Sequence, residues 1–211
     1  NLIAMVAVGC GIACREFADE YGAEIDVIGT PAEETAGTKV PMSAMGVFKD
    51  YDAVMMAHPM FSNTDCFNSI AMDAYQIEFF GKPAHAANTP YEGINALDAM
   101  INFFNLINAM RQETKPDARI HGVITDGGKA ANIIPDYTSA SFYIRANRVA
   151  DVKQLAERVR NCAAGAALAT GCTYRMEYNE ENFKDTVRNH VLNDLAADYL
   201  DSFTDTTLIR L

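Results

Sequence analysis

Tyr75-Gln76-Ile77-Glu78-Phe79 alternates apolar and polar side chains with a period of two, the signature of a half-exposed antiparallel strand. The residues after it change period. In Thr89-Pro90-Tyr91-Glu92, Thr89 can cap a helix, Pro90 suits its first position and Glu92 can complete a capping box, so a helix is expected to run to about residue 111, burying Ile94, Leu97, Ile101 and Phe104. Strand-like runs at 120–125 and 137–145 flank Asp126-Gly127-Gly128 and Asn132-Ile133-Ile134-Pro135. A second helix over 151–169, with Val152, Leu155, Val159 and Cys162 inward, and a strand over 173–178 complete the set. The order β-α-β-β-α-β is that of a ferredoxin-like module, here an α+β domain over 69–179.

The flanks have a different texture. Residues 2–17 carry apolar positions at helical spacing, and the runs 25–28 and 53–57 read as short buried strands. A further amphipathic helix is expected over 185–199, with Val187, Val191, Leu195 and Tyr199 on one side. Helix alternating with buried strand means α/β, so residues 1–68 and 180–211 are expected to form part of an α/β domain into which the module is inserted. The two strands stop at Gly29-Thr30-Pro31 and His58-Pro59, and sites in open α/β sheets gather beyond strand carboxyl ends. Glu33, Glu34 and His58 fall there.

Composition limits the partners. Of 211 residues, 49% are apolar, enough for real cores, yet no run reaches the roughly 18 to 20 apolar residues of a membrane span. Seventeen Lys and Arg against 28 Asp and Glu leave a formal charge of −11, a field that repels nucleic acid and anionic lipid. The expectation is no nucleic acid, no membrane, and a small molecule or another protein as partner. Cys10, Cys14, Cys66, Cys162 and Cys172 show no CxxC spacing and read as reduced, mostly core thiols of a cytoplasmic protein. The chain opens on Asn and enters at once on the apolar pattern Leu2, Ile3, Met5, Val6, as a piece of a longer protein would.

Taken singly, the polar residues have ordinary explanations. Adjacent glutamates make a solvated loop, a lone His at a strand end is a hydrogen-bonded structural residue, and Gly127-Gly128 is a tight turn. Glu and His are also ordinary zinc ligands, which gives Glu33, Glu34 and His58 more weight together. In order along the chain, Gly29-Thr30-Pro31-Ala32-Glu33-Glu34, Ala57-His58-Pro59, Gly81-Lys82-Pro83-Ala84-His85-Ala86, Gly127-Gly128 with Ala131-Asn132-Ile133-Ile134-Pro135-Asp136, and Arg145 resemble successive signatures of the aminoacylase and glutamate-carboxypeptidase metallopeptidase family. The pattern is most similar to its amidohydrolase branch, which includes aminobenzoyl-glutamate hydrolases.

That resemblance implies specific roles. Glu33 would be the general base and proton shuttle, and Glu34 and His58 metal ligands. His85 would sit in a lid domain and reach the partner subunit's active site, while Asn132 and Arg145 would contact the substrate's carboxyl end. The cofactor would be two divalent ions, zinc or else manganese or cobalt. The activity would be hydrolysis of an N-acyl amino acid or dipeptide by a homodimer joined through its lid. In the family a His-x-Cys-Gly-His segment and a late His supply further ligands, and neither occurs in these 211 residues, so this stretch by itself is expected to be inactive. A second reading is a non-catalytic dimerisation or interaction module. A third, a small-ligand regulatory domain, gives Glu33, Glu34 and His58 no task.

Overall fold

The order and pairing of elements come from a computed structural model that describes residues 2–203 and 208–209. The chain divides into two compact units, residues 1–67 with 187–211 and residues 68–186.

In the first unit, helix α1 (Leu2–Tyr21) leads to two short helices, α2 (Glu33–Ala36) and α3 (Lys39–Ala44), and to β1 (Asn63–Thr64). The expected strands at 25–28 and 53–57 do not form; both segments are extended but unladdered. An apolar run becomes a strand only where a neighbour takes up its backbone N–H and C=O groups, and none of the described residues does so for these. Nor does α1 bury any side chain, so Cys10 and Cys14 are exposed rather than in a core. The apolar side of the helix is left open among the described residues, touched at Gly11 by the Val27 methyl.

The second unit carries the core. Strand β2 (Ala71–Phe80) is followed by helix α4 (Ala96–Met110), β3 (Arg119–Asp126), β4 (Tyr137–Ala146), helix α5 (Val149–Thr170) and β5 (Thr173–Tyr178). The strands form one antiparallel sheet in the order β3-β4-β2-β5, with β2 central and paired along its whole length with β4, from Ala71 opposite Ala146 to Phe80 opposite Tyr137. Tyr75, Ile77 and Phe79 point into the helices as the alternation requires. Phe79, Phe103 and Phe142 meet there, with ring centroids 5.1 Å apart for Phe103 and Phe142, and each buried ring contributes about 1.5–3 kcal/mol. The opposite face is less open than half-exposed alternation implies. Glu78 is buried between the Arg175 guanidinium at 2.6 Å and the Tyr137 hydroxyl at 2.7 Å, which hold its carboxyl below the usual range.

Two expectations for α4 need correcting. Thr89-Pro90 begins only a single 3-10 turn (Pro90–Glu92), and the helix starts at Ala96 with Asn95 as its cap, the Asn95 amide oxygen accepting from Leu97 N at 2.9 Å. The buried face is Ala96, Ala99, Met100, Phe103, Ile107 and Met110, so the expected set is displaced around the helix and Ile101 is 47% exposed. Nearly every position from 99 to 107 is apolar, so periodicity alone does not set the phase; the small Ala96 and Ala99 do, because they let the helix approach the sheet. Helix α5 buries Val152, Leu155 and Val159 as expected, with Cys162 at the margin of the core.

The chain then returns to the first unit in α6 (His190–Phe203) and β6 (Leu208–Ile209), which pairs in parallel with β1. The helix starts five residues later than expected, and Val187, Val191, Leu195 and Tyr199 are all exposed. Residues 180–186 stay with the second unit because Phe183 pairs with Met72, Asp185 accepts from Val149 N and Thr186 bonds Ser69. No helix of the described residues is long and apolar enough to cross a membrane.

One buried carboxyl gives a pH-dependent expectation. Asp73 accepts from the Tyr75 hydroxyl at 3.1 Å; burial pushes its pKa up, with the Tyr75 bond and the Lys153 charge pulling partly back. A carboxyl raised in the folded state adds stability below its unfolded pKa and loses it as pH rises through the folded value. Asp73→Asn, which cannot ionise and still accepts from Tyr75, is therefore expected to raise the thermal midpoint at neutral pH and to flatten its decline from acid to neutral. A lower midpoint with an unchanged pH slope would contradict this.

Candidate active site

In the first unit, Glu33 and Glu34 open the short helix α2 and are both exposed. They do not follow a strand. Instead Ala32 takes a left-handed conformation, φ 54°, which costs a non-glycine residue about 1–2 kcal/mol and turns the chain sharply into the two carboxylates. The turn is held by the Thr38 hydroxyl donating to the Pro31 carbonyl and by Gly37 N donating to the Glu33 carbonyl at 3.2 Å. Strain stored beside two carboxylates is a reason to look for a function there. His58 is exposed, stacks on Phe67 with centroids 5.9 Å apart, and has its Nδ1 2.9 Å from the Pro59 carbonyl. With Nδ1–H donating to that carbonyl, Nε2 is left as the ligating nitrogen, the usual arrangement of a metal-binding imidazole.

His58 and the Glu34 carboxylate thus suit a zinc-type ion individually. Together they are two donors where catalytic zinc sites use three protein ligands, and the described residues contain no group of three His, Cys, Asp or Glu side chains that could hold an ion. The described residues alone do not fit a complete metal centre.

In the second unit, His85 and Asn132 belong to one loop pair. His85 and Ile133 form an antiparallel bridge, Ala86 N donates to the Asn132 carbonyl at 3.0 Å and Ile134 N to the Ala84 carbonyl at 2.9 Å. The motif glycines make this possible. A side chain at Gly81 would collide with the Ile94 carbonyl, and Gly128, at φ +103°, leaves no room for one beside Pro135. The exposed His85 ring accepts at Nδ1 from Ala87 N at 3.2 Å and Asn88 N at 3.3 Å, so the neutral ring carries its proton on Nε2, a donor. A cleft of about 470 Å³ runs beside it, lined by Ala86, Leu97, Lys129, Ile133, Ile134 and Pro135 among others.

Arg145 is elsewhere. His85 and Asn132 sit beyond the end of the sheet where Phe80 pairs with Tyr137, whereas Arg145 lies at the other end of β4, opposite Met72 and Arg119. Tyr137 and Arg145 are eight rises apart along β4, roughly 27 Å at the usual spacing. The structure brings His85 and Asn132 together and leaves Arg145 apart.

Comparison with known proteins bears on all of this. Residues 72–170, nearly the whole second unit, match the family description of a peptidase dimerisation domain. The chain is 36% identical over 196 residues to a Xaa-Arg dipeptidase from Mus musculus, covering 91% of this chain and 46% of the relative. The second unit is an M20-type peptidase dimerisation domain. One of the p-aminobenzoyl-glutamate hydrolase polypeptides of Escherichia coli (strain K12) is 32% identical over 185 residues, covering 85% of this chain and 38% of the relative. Among solved structures, an aminobenzoyl-glutamate utilization protein from Klebsiella pneumoniae shares the fold, with a TM-score of 0.65 at 19% identity over 81% of this chain and 45% of that one. The chain spans less than half the length of the curated relatives it matches.

The M20 motifs lead to His85, Asn132 and Arg145 but pass over the basic groups around Arg145. Arg111, Lys115, Arg119 and His121 line a second cleft of about 420 Å³. The signal was present as four basic residues within eleven positions of an acidic chain.

Proposed function

We propose that the protein is an amidohydrolase or peptidase that cleaves an N-acyl amino acid or a dipeptide and releases an amino acid, and that residues 68–186 are its lid and dimerisation domain, ferredoxin-like in topology. The observation that carries this reading is the placement of His85 and Asn132 at one end of a sheet matched to a peptidase dimerisation domain, with Arg145 at the other. Residues at opposite ends of one sheet act on one small substrate if they come from two lids. Each active site would then take Arg145 from one lid and His85 and Asn132 from the other.

In that site Glu33 takes the proton of the attacking water and returns it to the leaving amine. The Nε2–H of His85 donates to the carbonyl oxygen as charge develops on it, with the Asn132 amide beside it. Arg145 pairs with the substrate carboxylate, which orients the scissile bond. Two divalent ions, when bound, would polarise the carbonyl and acidify the water; Glu34 and His58 are the ligands this chain offers them.

The dimer contact follows from the sheet. Strand β3 is an edge, with Val123 60% exposed on it, and an unpaired edge accepts a second copy of itself.

The test is an amino-acid release assay of the whole protein on N-acyl amino acids and dipeptides, run beside the 211-residue chain. The whole protein should turn over at least one of these substrates and the chain alone none. Turnover by the chain alone, abolished by Glu33→Gln, would show that two metal donors suffice. An inert whole protein that still dimerises would favour the interaction-module reading.

A further inference from the structure

At the end of the sheet that carries His85 and Asn132, the outer face buries a carboxylate that stability alone does not explain. Glu78 stands directly opposite Arg175 across the β2–β5 ladder, its side chain only 12% exposed. It accepts from the Arg175 Nε at 2.6 Å and from the Tyr137 hydroxyl at 2.7 Å. The Phe80 and Tyr137 rings lie 5.6 Å apart on the last rung shared by β2 and β4, and the Arg175 guanidinium rests 5.9 Å from the centre of the Phe80 ring. Taking a carboxylate out of water is costly, and an apolar pair in place of a buried ion pair is often as stable or more so. What the ion pair adds is direction, because two charge-assisted hydrogen bonds fix the ends of three strands against one another.

Both loops of the candidate site leave from this point. Gly81, the residue after Phe80, donates from its backbone N to the carbonyl of Asp136, the residue before Tyr137, at 2.8 Å. Beyond that bond the two segments run together: Ile134 N donates to the Ala84 carbonyl at 2.9 Å, Ala86 N to the Asn132 carbonyl at 3.0 Å, and His85 is bridged to Ile133. His85 and Asn132 therefore stand on a narrow two-stranded ribbon. A two-stranded ribbon is marginal by itself and takes its direction from its base, and the Glu78 cluster is that base.

We propose that Glu78, Arg175 and Tyr137 are positioning residues, a clamp at the foot of the ribbon that holds His85 and Asn132 in line with the substrate carbonyl without touching the substrate. The inference rests on the assignment of His85 and Asn132 to that carbonyl.

Two measurements test it. In the 211-residue chain, amide hydrogen exchange at Ala86 and Ile134 reports the ribbon, and exchange at Ile77 and Ala140 reports the sheet core. Tyr137→Phe, which keeps the ring against Phe80, and Arg175→Met should each speed exchange at Ala86 and Ile134 about tenfold, the worth of a hydrogen bond to a charged group, and leave Ile77 and Ala140 unchanged. Arg175→Lys should restore part of the protection. In the whole protein the first two variants should lower kcat about tenfold at unchanged KM, the pattern of a contact made only in the transition state. Because both act through Glu78, the double variant should lose no more than the worse single one. Exchange unchanged at Ala86 and Ile134, or raised equally at all four amides, would overturn the clamp. So would a loosened ribbon with kcat intact in an enzyme that His85→Ala inactivates. Full kcat in His85→Ala would instead count against the hydrolytic assignment, and the exchange rates alone would then decide the clamp.

Discussion

Mixing two inactive variants of the whole enzyme, His85→Ala and Arg145→Ala, is expected to restore activity. Each variant alone should lose at least roughly a hundredfold in kcat/KM, the usual effect of removing a transition-state donor or an orienting guanidinium. In a mixed dimer one site receives an intact Arg145 from one subunit and an intact His85 from the other, while the second site lacks both. Random reassortment makes half the dimers mixed, so activity should recover to about a quarter of the parent's. The prediction comes directly from the ten-residue β4, which holds Arg145 and the His85–Asn132 loops at opposite ends. Were both residues to serve the same subunit's site, no mixed dimer would contain a complete one and mixing would restore nothing.

The second large effect is at the strained turn. Glu33→Gln in the whole enzyme should lower kcat at least roughly a hundredfold, the scale of general-base catalysis, with metal content unchanged. Glu34→Ala and His58→Ala should instead lose metal. The adjacent carboxylates are both exposed at the head of α2, so their positions alone do not divide the labour. If Glu33→Gln lost metal while Glu34→Gln kept it, the two roles would be exchanged.

How much of this was legible in the sequence depends on what each signal measures. In the second unit the strand-like runs place β3, β4 and β5 to within a residue of their ends, whereas the period-two alternation at 75–79 marks only the second half of β2, which starts at Ala71 and is buried on both faces. The same alternation could not reveal that Glu78, polar on the outer face, is buried against Arg175 and Tyr137. Helix α4 is shorter than its capping signal implied, starting at Ala96 rather than near Thr89, and its phase differs because Phe103 and Phe104, and Met100 and Ile101, are apolar neighbours that periodicity cannot rank. In the first unit the runs at 25–28 and 53–57 are apolar enough for buried strands, but strand formation is a property of pairs, and the described residues supply no partner. The site motifs identified His85, Asn132 and Arg145 as types and could not say that β4 separates them. A linear motif carries no distance, and here roughly 27 Å of strand turns a list of substrate contacts into an argument for two subunits.

A shared active site requires self-association through the second unit, and the most direct measurement is the mass of the 211-residue chain in solution at micromolar concentration by sedimentation equilibrium. With a monomer of 23.1 kDa, the mass should be about twice that value. Val123→Lys on the exposed β3 edge should shift it toward the monomer with the fold intact by circular dichroism. A clean monomer for the parent chain across that range would contradict the shared active site and remove the reason for placing His85 and Arg145 around one substrate.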